Sequence, residues 1–393
     1  MKGTRTRIAP SPTGPLHIGT SRVALFNYLF TKQNKGEFIL RIDDTDKERS
    51  KSKYEKDIKE ALKWIKLDYD EEYRQSDRGE VYKKYIKILL DKGDAYEKDG
   101  VIYFKNEGET IKFKDTIRGE VVFDFSDIED FIIAKSEKDV LYNLASVVDD
   151  HEMGITHVIR GEDHISNTPR QILLQRALNI NPVQYAHLPM ILGSDRSKLS
   201  KRHGATALTD FKKDYLPEAV INYMALLGWN PGTDEELFTL EELIESFSLE
   251  KVQKGGAIFN IEKLDWFNSQ YIKKMDLKKL ATLTGVGEGA LELEKDRIKR
   301  LSEFKDALHF INKLPNYDKE LLIWKNMTET QAGEYLKKAL SGGDLKGAEL
   351  WPPRVALSGQ KGSPSYMDIK EVLGEKETQK RLEKALEKLG IEK

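Results

Sequence analysis

His17 stands where a Pro/Gly-rich turn, Pro10-Ser11-Pro12-Thr13-Gly14-Pro15-Leu16, runs into His17-Ile18-Gly19-Thr20. Residues 4–9 before the turn are β-rich, and residues 23–30 after it place apolar side chains at helical spacing. A loop that enters a helix this way aims backbone N–H groups at whatever lies above it, which suits phosphate. Gly14 and Gly19 lack a Cβ and allow close backbone approach. The His17 imidazole adds a donor at the helix start. A nucleotide can lie here with its phosphates over the helix N-terminus. A second segment, Lys198-Leu199-Ser200-Lys201-Arg202, follows a β-like run at 185–192 and the turn Gly193-Ser194-Asp195. Its three cations, carried on a loop, can reach phosphates that the first segment holds. Each segment alone is a weak signal. A short basic stretch is ordinarily a solvated loop, and His17 can merely cap its helix.

The elements that must position these groups alternate. Residues 4–9, a helix near 17–32 and residues 37–42 form a β-α-β unit, which builds parallel sheets with ligands at the strand carboxyl ends. Asp43, Asp44 and Asp46 follow the second strand, at that end. Tyr54, Ile58, Ala61/Leu62 and Ile65 mark an amphipathic helix. Ser76 is expected to cap another, with Tyr82, Ile86 and Leu89 on its buried face. Residues 94–138 differ: short β-like runs at 101–104, 110–113 and 121–125 are separated by Gly, Asn and Asp, as in an insertion between two halves of a nucleotide fold. Alternation resumes over 140–192. Beyond 209 the chain turns helical. Pro217 suits a first helical turn, and Thr239 with Glu242 forms a capping box. Helices continue from 275, with breaks at 284–289, 314–316, 341–347 and 359–364. Residues 370–393 read as a charged amphipathic helix whose charges form a solvated face.

Composition sets outer bounds. A chain of 393 residues has room for two or three domains, and 33% charged with 9% aromatic residues indicates a globular protein. No apolar run is long enough to span a bilayer, and the basic N-terminus lacks the apolar stretch of a signal peptide. There is no cysteine, hence no disulfide and no thiolate zinc site. A cytoplasmic protein without a membrane partner is expected. His151, His157 and His164 fit no common zinc spacing. A net charge of -2 gives no hint of nucleic acid, so composition alone misses an RNA partner.

Taken together and in this order, the two segments resemble the His-Ile-Gly-His and Lys-Met-Ser-Lys-Ser signatures of class I aminoacyl-tRNA synthetases. Residues 7–14 add to this, with Arg41-Ile42-Asp43-Asp44-Thr45-Asp46, Val147-Val148-Asp149-Asp150-His151 and Val158-Ile159-Arg160-Gly161-Glu162-Asp163-His164. On these matches the chain resembles glutamyl-tRNA synthetases of bacterial, compact type, from residue 4 to about 268 and again over Pro353-Arg354-Val355-Ala356-Leu357-Ser358-Gly359. The resemblance implies a multidomain α/β plus all-α fold. A Rossmann-type parallel-sheet catalytic domain would take 1–93 and 139–208, interrupted by a short α/β insertion at 94–138 that binds the tRNA acceptor end. A helical stem-contact domain (209–274) and a helical anticodon-binding domain (275–393) would follow. It also implies that a glutamate carboxylate attacks the α-phosphate of ATP, and that a tRNA ribose hydroxyl then attacks the adenylate.

The implied site residues transfer position by position. His17, Lys198 and Lys201 would be catalytic. His17, Gly19, Asp163, Ile191, Leu192 and Lys201 would bind ATP, with Ile191 and Leu192 facing adenine. Arg7, Ser11, Asp43, Tyr142 and Arg160 would bind glutamate: the arginine forks suit carboxylates, and Asp43 would meet the ammonium. Mg²⁺ would arrive with ATP, held by phosphates and water, and no protein metal ligand or zinc is assigned. Two positions depart from the usual pattern. Asp43 stands where most bacterial relatives have Glu, and Ser146 where some have Asn. The insertion lacks the cysteines of the zinc knob that some members carry there. Arg297, shortly before Leu301-Ser302-Glu303-Phe304, matches the arginine that inspects the third anticodon base, with Arg300 close by. The expected partners are L-glutamate and the tRNA for glutamate, with the tRNA for glutamine left open, and the chain is expected to be a monomer. Rival functions are a glutamyl-queuosine tRNA synthetase, which lacks an anticodon domain, a catalytically dead RNA-binding relative, and a nucleotidyltransferase acting on small molecules.

Overall fold

In the computed structural model, residues 3–46, 48–126, 128–200, 202, 204 and 206–392 are described. The chain forms two compact units, Met1–Phe267 and Asn268–Lys393, a coarser division than the four segments expected.

The first unit opens with β1 (Arg5–Ile8), α1 (Ile18–Gln33) and β2 (Glu37–Ile42), followed by α2 (Ser52–Trp64) and β3 (Glu71–Arg74). β1, β2 and β3 lie side by side and parallel. Phe38, Ile39, Leu40 and Ile42 are all fully buried, as a strand covered on both faces requires. Gly36 makes the tight entry into β2 possible, because a Cβ there would stand 2.0 Å from the Thr4 carbonyl oxygen. α1 buries polar residues as well, and several of their groups are paired. Asn27 Nδ2 donates to the Ile159 carbonyl (3.0 Å), and the Thr6 and Thr31 hydroxyls lie 2.6 Å apart.

α3 (Gly79–Lys92) starts after a short 3-10 turn at Gln75–Arg78. Ser76 therefore does not cap it. Its N–H and hydroxyl instead bond the Asp44 carboxylate at 2.8 and 2.7 Å, fastening that turn to the segment after β2. The insertion is richer in strand than expected: β4 (Ala95–Lys98), β5 (Val101–Phe104), β6 (Thr110–Asp115), β7 (Gly119–Asp124), β8 (Phe131–Ser136) and β9 (Asp139–Val140). Four of these form one antiparallel sheet in the order β4-β5-β8-β9. The β6-β7 hairpin does something else. After α4 (Tyr142–Glu152), β10 (His157–Gly161), α5 (Thr168–Ala177) and β11 (Gln184–Leu188), the order β10-β11-β6-β7 shows the hairpin extending the second parallel sheet. The two parallel sheets adjoin where Thr156 N–H donates to the Arg5 carbonyl at 3.0 Å.

β12 (Ile191–Leu192) precedes the basic loop, and α6 (Leu208–Phe211), α7 (Pro217–Leu226) and α8 (Leu240–Ser246) follow it. Pro217 opens α7, and Thr239 with Glu242 forms the capping box of α8, both as the sequence indicates. β13 (Ala257–Ile258) pairs with β12, and α9 (Ile261–Lys274) contains the division between the units.

The second unit is helical among its described residues: α10 (Leu277–Thr284), α11 (Glu288–Glu294), α12 (Glu303–Ala307), α13 (His309–Asn312), α14 (Glu329–Leu340), α15 (Trp351–Ser358) and α16 (Tyr366–Leu389). α16 is kinked at Gly374, whose φ of 76° is a left-handed value. The solvated charged face expected for α16 has one exception of consequence. Arg381 is only 2% exposed. Its Nη1 donates to the Phe310 and Leu357 carbonyls, both at 2.7 Å, and its Nε to Glu377 at 2.9 Å. It joins three elements of this unit's core.

Candidate active site

The carboxyl ends of β1, β2, β10 and β11 open on one side into a cleft of about 690 Å³. This is the end at which open parallel sheets bind ligands. The wall includes Arg7 and Ser11 after or within β1, Asp43 after β2, Arg160 on β10 and Asp163 just beyond it. Tyr142 contributes from the start of α4, His17 and Gly19 from the start of α1, and Ile191 and Lys198 from the segment after β11. Ten predicted site residues thus meet in one place. Three do not. Leu192 does not line the cleft: its carbonyl accepts the Phe259 N–H at 2.8 Å, within the β12-β13 pairing. Lys201 lies outside the described residues. Arg297 belongs to the second unit, in a turn after α11 rather than on a helix. Its side chain is half-exposed and 3.6 Å from Glu294.

The first signature segment is stitched by backbone to residues that follow the second. Ile18 N–H donates to the Thr206 carbonyl and Leu208 N–H to the Leu16 carbonyl, each at 2.8 Å. His17 caps α1, with Nδ1 accepting the Gly19 N–H at 3.1 Å. A nitrogen that accepts carries no proton, so the neutral ring holds its proton on Nε2. Burial, and next the charge of Lys198, lower the His17 pKa and keep the ring neutral. Capping and ligand binding are therefore compatible, one nitrogen for each. Lys198 is largely exposed, 3.5 Å from Asp163.

The floor of the cleft is a buried charge network. Arg7 Nε and Nη2 donate to Asp150 at 2.9 and 3.3 Å. Arg41 donates to both oxygens of Asp43 (2.6 and 3.0 Å) and to Asp150 (2.8 Å). Asp149 takes Gln75, Arg78 and Tyr82. Burial pushes both Asp43 and Asp150 upward, but Arg7 and Arg41 outweigh it at Asp150, which ends below the usual carboxylate range. At Asp43 burial prevails over Arg41, and the carboxyl is pushed up to about 6. Asp43, one methylene shorter than the usual Glu, is held by Arg41, two residues earlier on β2. Ser146 is buried, its hydroxyl has no hydrogen-bond partner, and it does not line the cleft.

Arg160 differs from the other arginines of the network. It is 5% exposed, and among the described residues no carboxylate lies within ion-pair distance of it. Its partners are neutral: His187 Nε2 at 3.1 Å, the Tyr142 hydroxyl at 3.3 Å and the Thr168 hydroxyl at 2.8 Å. Two of its five N–H groups remain. A buried charge with no carboxylate at ion-pair distance is costly, and an anion in the cleft would offset that cost. His164 bonds the Tyr142 hydroxyl through Nδ1 at 3.0 Å, and burial together with Arg160 pushes its pKa down to about 4. It lines the cleft as a neutral ring.

The sequence reading assigned no role to Arg41, Asp150, His187 or Thr168. A signal for Arg41 was present, since a charge inside the run Phe38-Ile39-Leu40-Arg41-Ile42 must be paired when the strand is buried.

The family model for tRNA synthetases class I (E and Q), catalytic domain, matches residues 3–101 and 97–266, and a model for an anticodon binding domain matches residues 344–386. The chain belongs to the class I tRNA synthetases of the E and Q type. Among relatives, the glutamate–tRNA ligase of Thermodesulfovibrio yellowstonii is 40% identical over 98% of this chain and 99% of its own length. Glutamate–tRNA ligase 1 of Syntrophomonas wolfei is 38% identical over 98% and 97%. The crystal structure of a glutamate tRNA ligase from Elizabethkingia meningosepticum, in complex with its amino acid, matches with a TM-score of 0.87 and 31% identity, covering 99% of this chain and all of that one. The fold is therefore that of a class I synthetase with a helical C-terminal anticodon domain. Among the described residues no helix is long and apolar enough to cross a membrane.

Proposed function

We propose that this chain is a glutamate–tRNA ligase, which activates L-glutamate with ATP and transfers it to the 3′ end of its tRNA. The observation that carries the reading is Arg160, a buried guanidinium with neutral partners and two N–H groups left for a carboxylate. Arg160 with Tyr142 takes one carboxylate of glutamate. Arg7, whose Nη1 stays clear of Asp150, and Ser11 add donors for the other. Asp43 meets the ammonium.

ATP lies with its phosphates over the start of α1, against Gly19 and the Nε2–H of His17. Ile191 and Asp163 are on the nucleoside side, and Lys198 faces the phosphates. The α-carboxylate oxygen of glutamate attacks the α-phosphorus, and pyrophosphate leaves with the electrons of the broken P–O bond. A ribose hydroxyl of the terminal tRNA nucleotide then attacks the adenylate carbonyl, its proton passes to a phosphate oxygen, and AMP leaves with the electrons of the broken C–O bond. The first step requires no acid–base residue of the chain. Positioning and charge stabilisation carry the rate. ATP enters as its Mg²⁺ complex. The ion would be held by the phosphates and water.

The anticodon-domain match over 344–386 supports this reading over a tRNA-modifying synthetase that lacks such a domain. The assembled cleft supports it over a catalytically dead relative. ATP–pyrophosphate exchange and charging of tRNA with glutamate, glutamine or aspartate test it. Exchange should be low without tRNA and rise on its addition, with glutamate the amino acid transferred. Transfer of another amino acid, or exchange with no transfer, would overturn it.

A further inference from the structure

Arg160 must be held at a fixed angle if two of its N–H groups are to meet a carboxylate as a fork. The group that holds its Nε edge is His187, which is fully buried. His187 lies on β11, directly beside Arg160 on β10 in the parallel register. Its Nε2 sits 3.1 Å from Arg160 Nε and 3.1 Å from the Thr168 hydroxyl. Its Nδ1 sits 2.6 Å from Asp115 Oδ2. Arginine Nε always carries a hydrogen and can only donate. His187 Nε2 must therefore be a bare acceptor, and the single ring proton must be on Nδ1, donated to Asp115. Burial and the neighbouring Arg160 charge keep the ring from gaining a second proton.

Asp115 is itself anchored. Besides His187 Nδ1 it accepts the backbone N–H groups of Ile117, Arg118 and His187. It closes the end of β6, so it belongs to the insertion hairpin and not to the strands that carry the cleft. The adjoining Arg118 makes a second tie from the same turn, bonding Glu162 just after β10.

We propose that His187 is a positioning residue for the amino-acid substrate. Asp115 fixes its tautomer, and the tautomer fixes the Arg160 fork. This rests on the reading of Arg160 as the glutamate-binding arginine. The insertion hairpin then sets the geometry of the amino-acid site without touching the substrate.

Two substitutions separate this from a merely structural histidine. Glutamine places its amide oxygen where Nε2 was and can still accept from Arg160. Asparagine places its amide nitrogen where Nδ1 was, keeps the bond to Asp115 and loses the acceptor. Charging assays on the full chain with saturating tRNA should show His187→Asn raising the glutamate KM about tenfold or more, with ATP KM within about twofold. His187→Gln should stay within about threefold of wild type for both. The reverse order, or equal rises for both substrates, would mean that His187 serves only to hold the hairpin. Should both variants fold poorly, the wild type still decides. Nitrogen-15 spectra should show the His187 ring neutral and protonated on Nδ1 at pH 7, and its signal should change to the Nε2–H form in Asp115→Asn. A wild-type His187 protonated on Nε2, or doubly, would overturn the proposal. Arg160→Lys is the control. If it leaves the glutamate KM unchanged, the reading of Arg160 fails. If it raises that KM while His187→Asn does not, only the His187 inference fails.

Discussion

Arg160 in the first unit and Arg381 in the second are almost equally hidden, at 5% and 2% exposure, yet they are used in opposite ways. Arg381 gives its N–H groups to two backbone carbonyls and to Glu377, so its charge has a counter-charge and its donors serve the fold. Arg160 gives three N–H groups to neutral side chains and keeps two over a cleft. Burial of an arginine is thus no guide to function by itself. What separates a staple from a binding group is the charge of the partners and the number of donors left over. Arg297, half-exposed with one long ion pair, is a third kind: a group whose role, if it has one, is set by what arrives from solvent.

The comparison is broken most directly by removing the two buried arginines. Arg160→Ala should lower kcat/KM for glutamate by about 10³, or about 4 kcal/mol, the loss expected when a buried charge pair with ligand is truncated. Its effect on folding should be small, because no carboxylate is orphaned. Charging kinetics and thermal denaturation measured on the same preparation check both halves. A large loss of stability with an unchanged glutamate KM would place Arg160 with Arg381.

Arg381→Met should show the opposite pattern. Two buried carbonyls lose their donors and half-exposed Glu377 keeps only its longer contact to Lys380, costing about 3 kcal/mol of stability. The glutamate KM should not move. Denaturant unfolding against charging kinetics gives the test, and a change in glutamate KM without a change in stability would contradict it.

Arg381 also shows where sequence reading stops. In Thr378-Gln379-Lys380-Arg381-Leu382-Glu383 the arginine has charged and polar neighbours, and a solvated face is the reasonable reading. Its burial comes from Phe310 and Leu357, 71 and 24 residues away. Ser76 was misread for a similar reason: its local pattern is that of a cap, but Asp44 across the fold claims it. The β6-β7 strands were legible, but their membership in the catalytic sheet rests on the distant pairing of Asp115 with Tyr185. By contrast, β2 at Glu37–Ile42 and the Thr239/Glu242 cap are fixed by adjacent residues and were read correctly. The cleft was legible because its residues sit in short runs just after strands, where parallel topology delivers them to one end. The paired acids beneath them were not, because pairing is a property of the assembled floor.

The floor supplies a sharper test of the same contrast. Burial pushes the Asp43 carboxyl up to about 6 against the pull of Arg41. It is ionised above that pH and protonated below it. If Asp43 holds the glutamate ammonium, kcat/KM for glutamate should fall as pH drops through about 6, by about tenfold per unit below it. Asp43→Asn should lower the plateau and remove this limb. The pKa values of His17, His164 and His187 all lie below the ordinary histidine value, so their titrations are displaced toward lower pH. A limb that persists in the Asp43→Asn variant would assign the titration to another group and leave Asp43 as a partner of Arg41 alone.

The smallest effect is expected at Arg297, where the contrast with the buried arginines is greatest. It lies in the turn after α11, and among the described residues its ion pair is to Glu294 at 3.6 Å, a weak contact for an exposed side chain. Replacing it should leave stability nearly unchanged. A half-exposed guanidinium can still read a base edge or stack on an unpaired base. The nearby Arg354, whose pKa is lowered by burial and then by the Arg297 charge, makes this part of the second unit basic. Arg354 is tied to Ser363 and to the Lys361 carbonyl, so its position is set, while Arg297 keeps donors for a ligand. If Arg297 inspects the third anticodon base, Arg297→Gln should reduce discrimination between the tRNAs for glutamate and glutamine by about 1–3 kcal/mol, with the glutamate KM unmoved. Charging both tRNAs with wild type and variant gives the answer. Equal charging of both by the wild type would show a non-discriminating enzyme in which Arg297 does not sort anticodons. A loss of stability on substitution would show that the loose ion pair to Glu294 matters more to the fold than its geometry indicates.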